Sequence, residues 1–84
     1  MPTLAEFREH AETYGWIYEE EPIQLTGEQS VIRRWFHRQV MGETATYPVY
    51  ELGPGERFDK RALAALLDGM QIPLSDFGLT KDDL

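Results

Sequence analysis

The chain has 84 residues, no Cys, and 15 Asp and Glu against eight Lys and Arg, for a formal net charge of −7. That length supports one domain spanning 1–84 with one thin core, burying roughly 60–65% of the unfolded surface. The missing Cys excludes disulfides, thiolate metal sites and thiol catalysis, and the acidity argues against general nucleic-acid binding, which rests on summed positive charge.

Thr3-Leu4-Ala5-Glu6 is a capping box, so a helix is expected over 3–14. Leu4, Phe7, Ala11 and Tyr14 fall on its apolar face, with Glu6, Glu9 and Glu12 pointing elsewhere and Gly15 as the left-handed stop. Trp16-Ile17-Tyr18 opens a strand by composition. Glu19-Glu20-Glu21-Pro22 belongs to an edge strand or a bulge, because three acids repel and Pro22 cannot donate to a ladder. Ile23 and Leu25 resume the alternation, and 26–29 reads as a turn.

Residues 30–41 carry two signals. Val31, Ile32, Trp35, Phe36 and Val40 fit a helical face by periodicity, while β-branched and aromatic residues favour a strand. The residues alone leave both readings open; the strand is chosen for 31–40 because of the family resemblance given below, and it puts Trp35 and Phe36 on opposite faces. A third strand is expected over 44–52, then a turn at Gly53-Pro54-Gly55. Asp59 caps a second helix whose apolar face is Ala62, Leu63, Leu66 and Leu67, with Gly69 as its end. Ile72, Leu74, Phe77 and Leu79 should anchor the tail against the core. The fold class is α+β, an α-β-β-β-α domain with two helices covering a three-stranded antiparallel sheet.

The order helix, Gly15-Trp16, three strands, helix and short apolar tail resembles the HicA-type (YcfA-like) toxins. Pro48-Val49, Pro54-Gly55 and Ile72-Pro73-Leu74-Ser75-Asp76-Phe77 add to the likeness. The resemblance implies a fold like the double-stranded-RNA-binding domain and an activity that cleaves messenger RNA with a His at the start of the second strand. Here that stretch reads Gly27-Glu28-Gln29-Ser30-Val31, without a His.

Charge is unevenly spread. Residues 1–28 hold seven Glu against Arg8 alone, whereas residues 29–42 hold Arg33, Arg34 and Arg38 and no acid. Arg33, Arg34, Arg38 and Trp35 are the residue types that dominate contacts or stack on bases. The competing reading is that these Arg neutralise Glu19, Glu20 and Glu21 across the strands. The acids Glu6, Glu9, Glu12 and Glu19–Glu21 would suit a partner that itself binds nucleic acid. His37 is the one candidate for proton transfer, and His10 is expected to pair with Glu6 at i,i+4. No metal-ligand spacing or cofactor motif is present, so neither a metal nor a cofactor is expected.

The expected function is a small regulator or inhibitor of the phage or plasmid type that works by binding a protein. An RNA-binding or RNA-cleaving HicA-like protein and an antitoxin-like subunit of an oligomer are the alternatives. No run reaches the roughly 18 apolar residues of a membrane span, and no basic-then-apolar leader opens the chain. The expectation is therefore a cytoplasmic protein that makes no membrane contact.

Overall fold

The computed structural model describes residues 1–49, 52–53 and 55–84. In chain order these form α1 (Leu4–Glu12), β1 (Ile17–Gln24), β2 (Ser30–Val40), β3 (Glu43–Pro48) and α2 (Lys60–Met70), then 3-10 turns at Leu74–Phe77 and Lys81–Asp83. The strands make one antiparallel sheet in the order β1-β2-β3. The protein is therefore an α+β domain, and its α-β-β-β-α arrangement is compatible with a double-stranded-RNA-binding-domain-like fold. Among the described residues no helix is long and apolar enough to cross a membrane.

Local chemistry accounts for the boundaries. The Thr3 hydroxyl accepts from the Glu6 N–H at 3.3 Å and the Glu6 carboxylate accepts from the Thr3 N–H at 3.2 Å, so both arms of the capping box are made. Gly15, at φ +85°, turns the chain out of α1. The β1–β2 turn closes where Leu25 N–H donates to the Gln29 carbonyl at 2.7 Å. Met41 and Gly42 both have positive φ (52° and 83°), the geometry of a two-residue hairpin whose twist matches the strands. Pro22 lies inside β1, which among the described strands pairs with β2 alone; an outer edge needs no N–H from it.

Residues 30–40 are a strand, and the helical reading of their periodicity fails. Phe36 is fully buried, while Trp35, one residue back, lies on the other face. Helical packing would have brought the two rings to one side.

The core lies between one face of the sheet and the helices. Phe7 of α1 stands edge-on to Phe36 of β2 at 5.3 Å between centroids, and also meets Phe58 at 5.2 Å and Phe77 at 5.9 Å. Leu63, Ala64, Leu67 and Met70 of α2 are fully buried, and Ile72 and Leu79 bring the tail in beneath them. Ala62 and Leu66, expected on the buried face of α2, are half-buried at its margin. Ahead of α2, Thr3 bridges to Arg57 and Phe58 N–H donates to the Pro2 carbonyl, so the start of the chain is tied to the start of the second helix.

Two expectations need correction. β3 stops at Pro48, short of the 44–52 strand; Tyr50 and Glu51, and Pro54 of the expected turn, lie outside the described residues. Gly69 does not end α2, which runs on to Met70 and closes on Gln71 at φ +60°. The glycine is there for space: a Cβ at position 69 would lie 2.7 Å from Cε1 of the Tyr47 ring. It lets the last turn of α2 rest directly on β3.

Gly69→Ala sets a helix-propensity gain of about 1 kcal/mol against overpacking of about 1–3 kcal/mol. We expect net destabilisation of roughly 1 kcal/mol in urea unfolding. The same substitution beside Tyr47→Leu should cost much less, because the ring it strikes is gone.

Candidate functional site

Side chains alternate between the two faces of a strand, and this divides the charged stretch of β2. Arg34, Phe36 and Arg38 point to the helix side; Arg33, Trp35 and His37 point the other way. The register sets Glu21 opposite Arg33, Glu19 opposite Trp35, Ile17 opposite His37 and Ile23 opposite Val31. From β3, Pro48 lies opposite Trp35 and Thr46 opposite His37. Together these residues form the second face of the sheet, which no described element covers. Ile17 is 54% exposed and Val31 44%, and Trp35 is half-buried by its neighbours alone.

The charges on this face are local. The Arg33 guanidinium lies 4.8 Å from the centre of the Trp35 ring, close enough for a cation–π contact. His37 Nε2 lies 3.4 Å from Glu19 Oε1. Glu21 has no ion-pair partner among the described residues, although Arg33 is its register neighbour. The centre is the Trp35 ring with Arg33 stacked on it, set between Glu19 and Pro48; the Ile17–His37 pair lies on one side of it, and the Glu21–Arg33 and Ile23–Val31 pairs follow on the other.

The other residues expected to act together do not meet. Arg38 lies 4.8 Å over the Trp16 ring and donates from Nη1 to the Tyr14 carbonyl at 2.8 Å, so it fastens the end of α1 to β2. Arg34 Nε is 3.7 Å from Glu20 Oε2, which also accepts from the Tyr18 hydroxyl at 3.0 Å. Burial, then that bond to Glu20, raises the Tyr18 hydroxyl above its ordinary pKa. The three Arg are thus split between two faces. Neutralisation of the β1 acids by Arg across the strands is found at Arg34–Glu20.

The acids of α1 are dispersed too. Glu6 is held by the cap, whose Thr3 backbone N–H and hydroxyl lower its pKa, and it also lies 3.7 Å from Arg57. Glu12 accepts from Arg8 at 2.8 Å. Glu9 alone of the three is exposed without an ion-pair partner among the described residues. Glu19 and Glu21 face the open side, whereas Glu20 faces the helices.

His10 does not pair with Glu6. Its Nε2 lies 2.9 Å from Asp76 Oδ2, and because a carboxylate can only accept, that nitrogen carries the proton. The Tyr14 hydroxyl donates to the same oxygen, and the His10 ring meets Phe77 edge-on at 4.9 Å. The cluster pins the tail to α1. Glu6, already occupied by the cap, was never available to His10.

A groove of about 490 Å³ runs beside the α1 N-terminus, lined by Arg8, Tyr18, Glu20, Arg34 and Leu52 among others. Arg8, Tyr18, Glu20 and Arg34 are all engaged with one another or with Glu12. Among the described residues, no three His, Asp or Glu side chains converge to hold a metal ion.

Trp35 and Arg33 were legible as contact residues. Ile17, Ile23, Val31 and His37 were not singled out as their companions. The pointer to them was parity: the turn at 26–29 sets the β1–β2 register, and counting in twos then gives the face. The chain matches no family model, no curated protein and no solved structure.

The bond from Tyr14, and then that to His10, lower the Asp76 pKa below 3.8. A depressed carboxylate stabilises the fold above its unfolded pKa and loses that contribution as pH falls through the folded one. Thermal midpoints should therefore drop for the unaltered protein below about pH 4. Asp76→Asn should start lower at neutral pH and show a smaller drop. Parallel curves for the two proteins would contradict this role for Asp76.

Proposed function

We propose that this chain is a non-enzymatic protein-binding domain, a small regulator or inhibitor that engages a protein partner through the open face of its sheet. One observation carries the reading: Trp35, with Arg33 stacked on it, stands at the centre of a sheet face bordered by Ile17, Ile23 and Val31 and covered by none of the described elements. Trp and Arg are the residues that most often dominate binding energy, and they do so near the middle of an apolar patch with a charged rim.

The HicA-like reading, RNA binding or cleavage, draws support from the α-β-β-β-α order. Against it stand the dispersal of Arg33, Arg34 and Arg38 and the use of Arg38 to hold α1. His37, the one imidazole on the open face, has Glu19 beside it. An acidic surface imitating nucleic acid is likewise weakened, because Glu6 and Glu12 are already engaged.

The test compares the immobilised chain, its Trp35→Ala variant and a Glu6→Lys/Glu9→Lys/Glu12→Lys variant in a host lysate, with and without nuclease. Protein retention should fall about 30-fold or more for Trp35→Ala, the loss expected of a central Trp. It should change little in the triple variant or after nuclease. Retention of RNA that persists in Trp35→Ala would contradict the reading.

A further inference from the structure

We propose that the outer edge of β3 takes up an extended segment of another protein as a fourth strand, which seats one apolar side chain between β3 and α2 and a carboxylate on Arg61. This site lies at the edge of the sheet and on its helix side, apart from the open face.

The two edges of the sheet differ. β1 is blunted by Pro22 and three consecutive Glu, devices that discourage an added strand. β3 carries a single charge, Glu43 at its start, and among the described strands it pairs with β2 alone. The turn fixes which of its backbone groups are free. A two-residue loop at Met41-Gly42 makes Val40 and Glu43 a mutually bonded pair, after which bonded and non-bonded pairs alternate. Ala45 and Tyr47 therefore direct N–H and C=O inward to β2, while Thr44 and Thr46 direct theirs outward. The bond from Val49 N–H to the Arg34 carbonyl, at 2.9 Å, keeps this parity two residues beyond Tyr47. Pro48, which has no N–H to offer, falls at an outward position. Thr44 and Thr46 are exposed, and their outward groups meet no partner among the described residues.

Those groups select an occupant with backbone donors and acceptors at strand spacing, which is an extended peptide. The residue that it sets opposite Tyr47 turns its side chain to the helix side. There a groove of about 430 Å³ lies between Tyr47 and Val49 of the sheet and Ala62, Ala65 and Leu66 of α2. The two alanines carry only a methyl each, which leaves room for a larger aliphatic or aromatic side chain. α2 passes β3 with Arg61 toward the Pro48 end and Gly69 toward Ala45. Arg61 is exposed, lines the same groove and makes no ion pair among the described residues. An Asp or Glu two positions from the apolar residue, and so on the same side of the added strand, meets it.

The probe is a phage-displayed library of random octapeptides panned on the immobilised full chain, with enriched sequences synthesised and titrated. Enriched peptides should share an aliphatic or aromatic residue with an Asp or Glu two positions away. Thr46→Pro removes the outward N–H and leaves the bonds to β2 in place. It should weaken the synthetic peptide about tenfold or more, as expected when one backbone acceptor loses its donor. Ala65→Glu, at an exposed position of α2, narrows the groove and sets an acid one turn from Arg61, so it should weaken binding as much. Trp35→Ala should leave it unchanged. Panning that enriches no such pattern overturns the proposal. So do peptides indifferent to Ala65→Glu, or to a Thr46→Pro chain that keeps its amide spectrum. Peptides that lose binding only in Trp35→Ala belong to the open face and overturn it too. Self-association of the full chain in sedimentation velocity, abolished by Thr46→Pro, would make a second copy the occupant and overturn the foreign segment.

Discussion

The edge-on contact between Phe7 and Phe36 is the constraint on which the rest of the structure depends. It joins the middle of α1 to the middle of the central strand, and both rings are fully buried. Phe58 and Phe77 close on the same Phe7 ring, which brings the approach to α2 and the tail to one point. In a chain of 84 residues that aromatic cluster is a large share of the apolar area available for folding. With Phe36 committed to the helices, alternation leaves Trp35 on the far side. The uncovered face follows from the core, not from any separate device.

The same alternation breaks up the charge blocks of the sequence. Arg33 and Arg34 are neighbours in the chain but lie on opposite sides of a sheet, as do Glu20 and Glu21. A run of like charge on a strand therefore gives two half-density rows, each beside whatever the neighbouring strand supplies. Arg34 finds Glu20 on the helix side, while Arg33 turns onto Trp35 on the open side. On a helix the three Arg would have formed one basic stripe, and the case for RNA would have been stronger.

Much of the fold was legible because local signals agreed with the whole: the Thr3–Glu6 box, the Asp59 cap, and the tail anchors Ile72 and Leu79. Gly69 misled because a glycine near a helix end usually marks its stop, and nothing local reveals the Tyr47 ring lying against it. His10 misled for a related reason. Its i,i+4 acid was already spent on the cap, and its true partner, Asp76, is 66 residues away in sequence. The open face was half legible, since composition named Trp35 and Arg33 but only the register could add Ile17, Ile23 and Val31.

The central claim is that the described residues cover the sheet on one side only, with Trp35 on the bare side and Trp16 in the core. Adding a soluble paramagnetic agent to the dilute, ¹⁵N-labelled chain and reading the two indole N–H signals tests it directly. Trp16 is 3% exposed, so its signal should keep its intensity, while that of Trp35 should broaden together with the methyl signals of Ile17 and Val31. Equal protection of both indoles in a chain shown to be monomeric would contradict the account, because some element of the chain would then cover the face on which the proposed function depends.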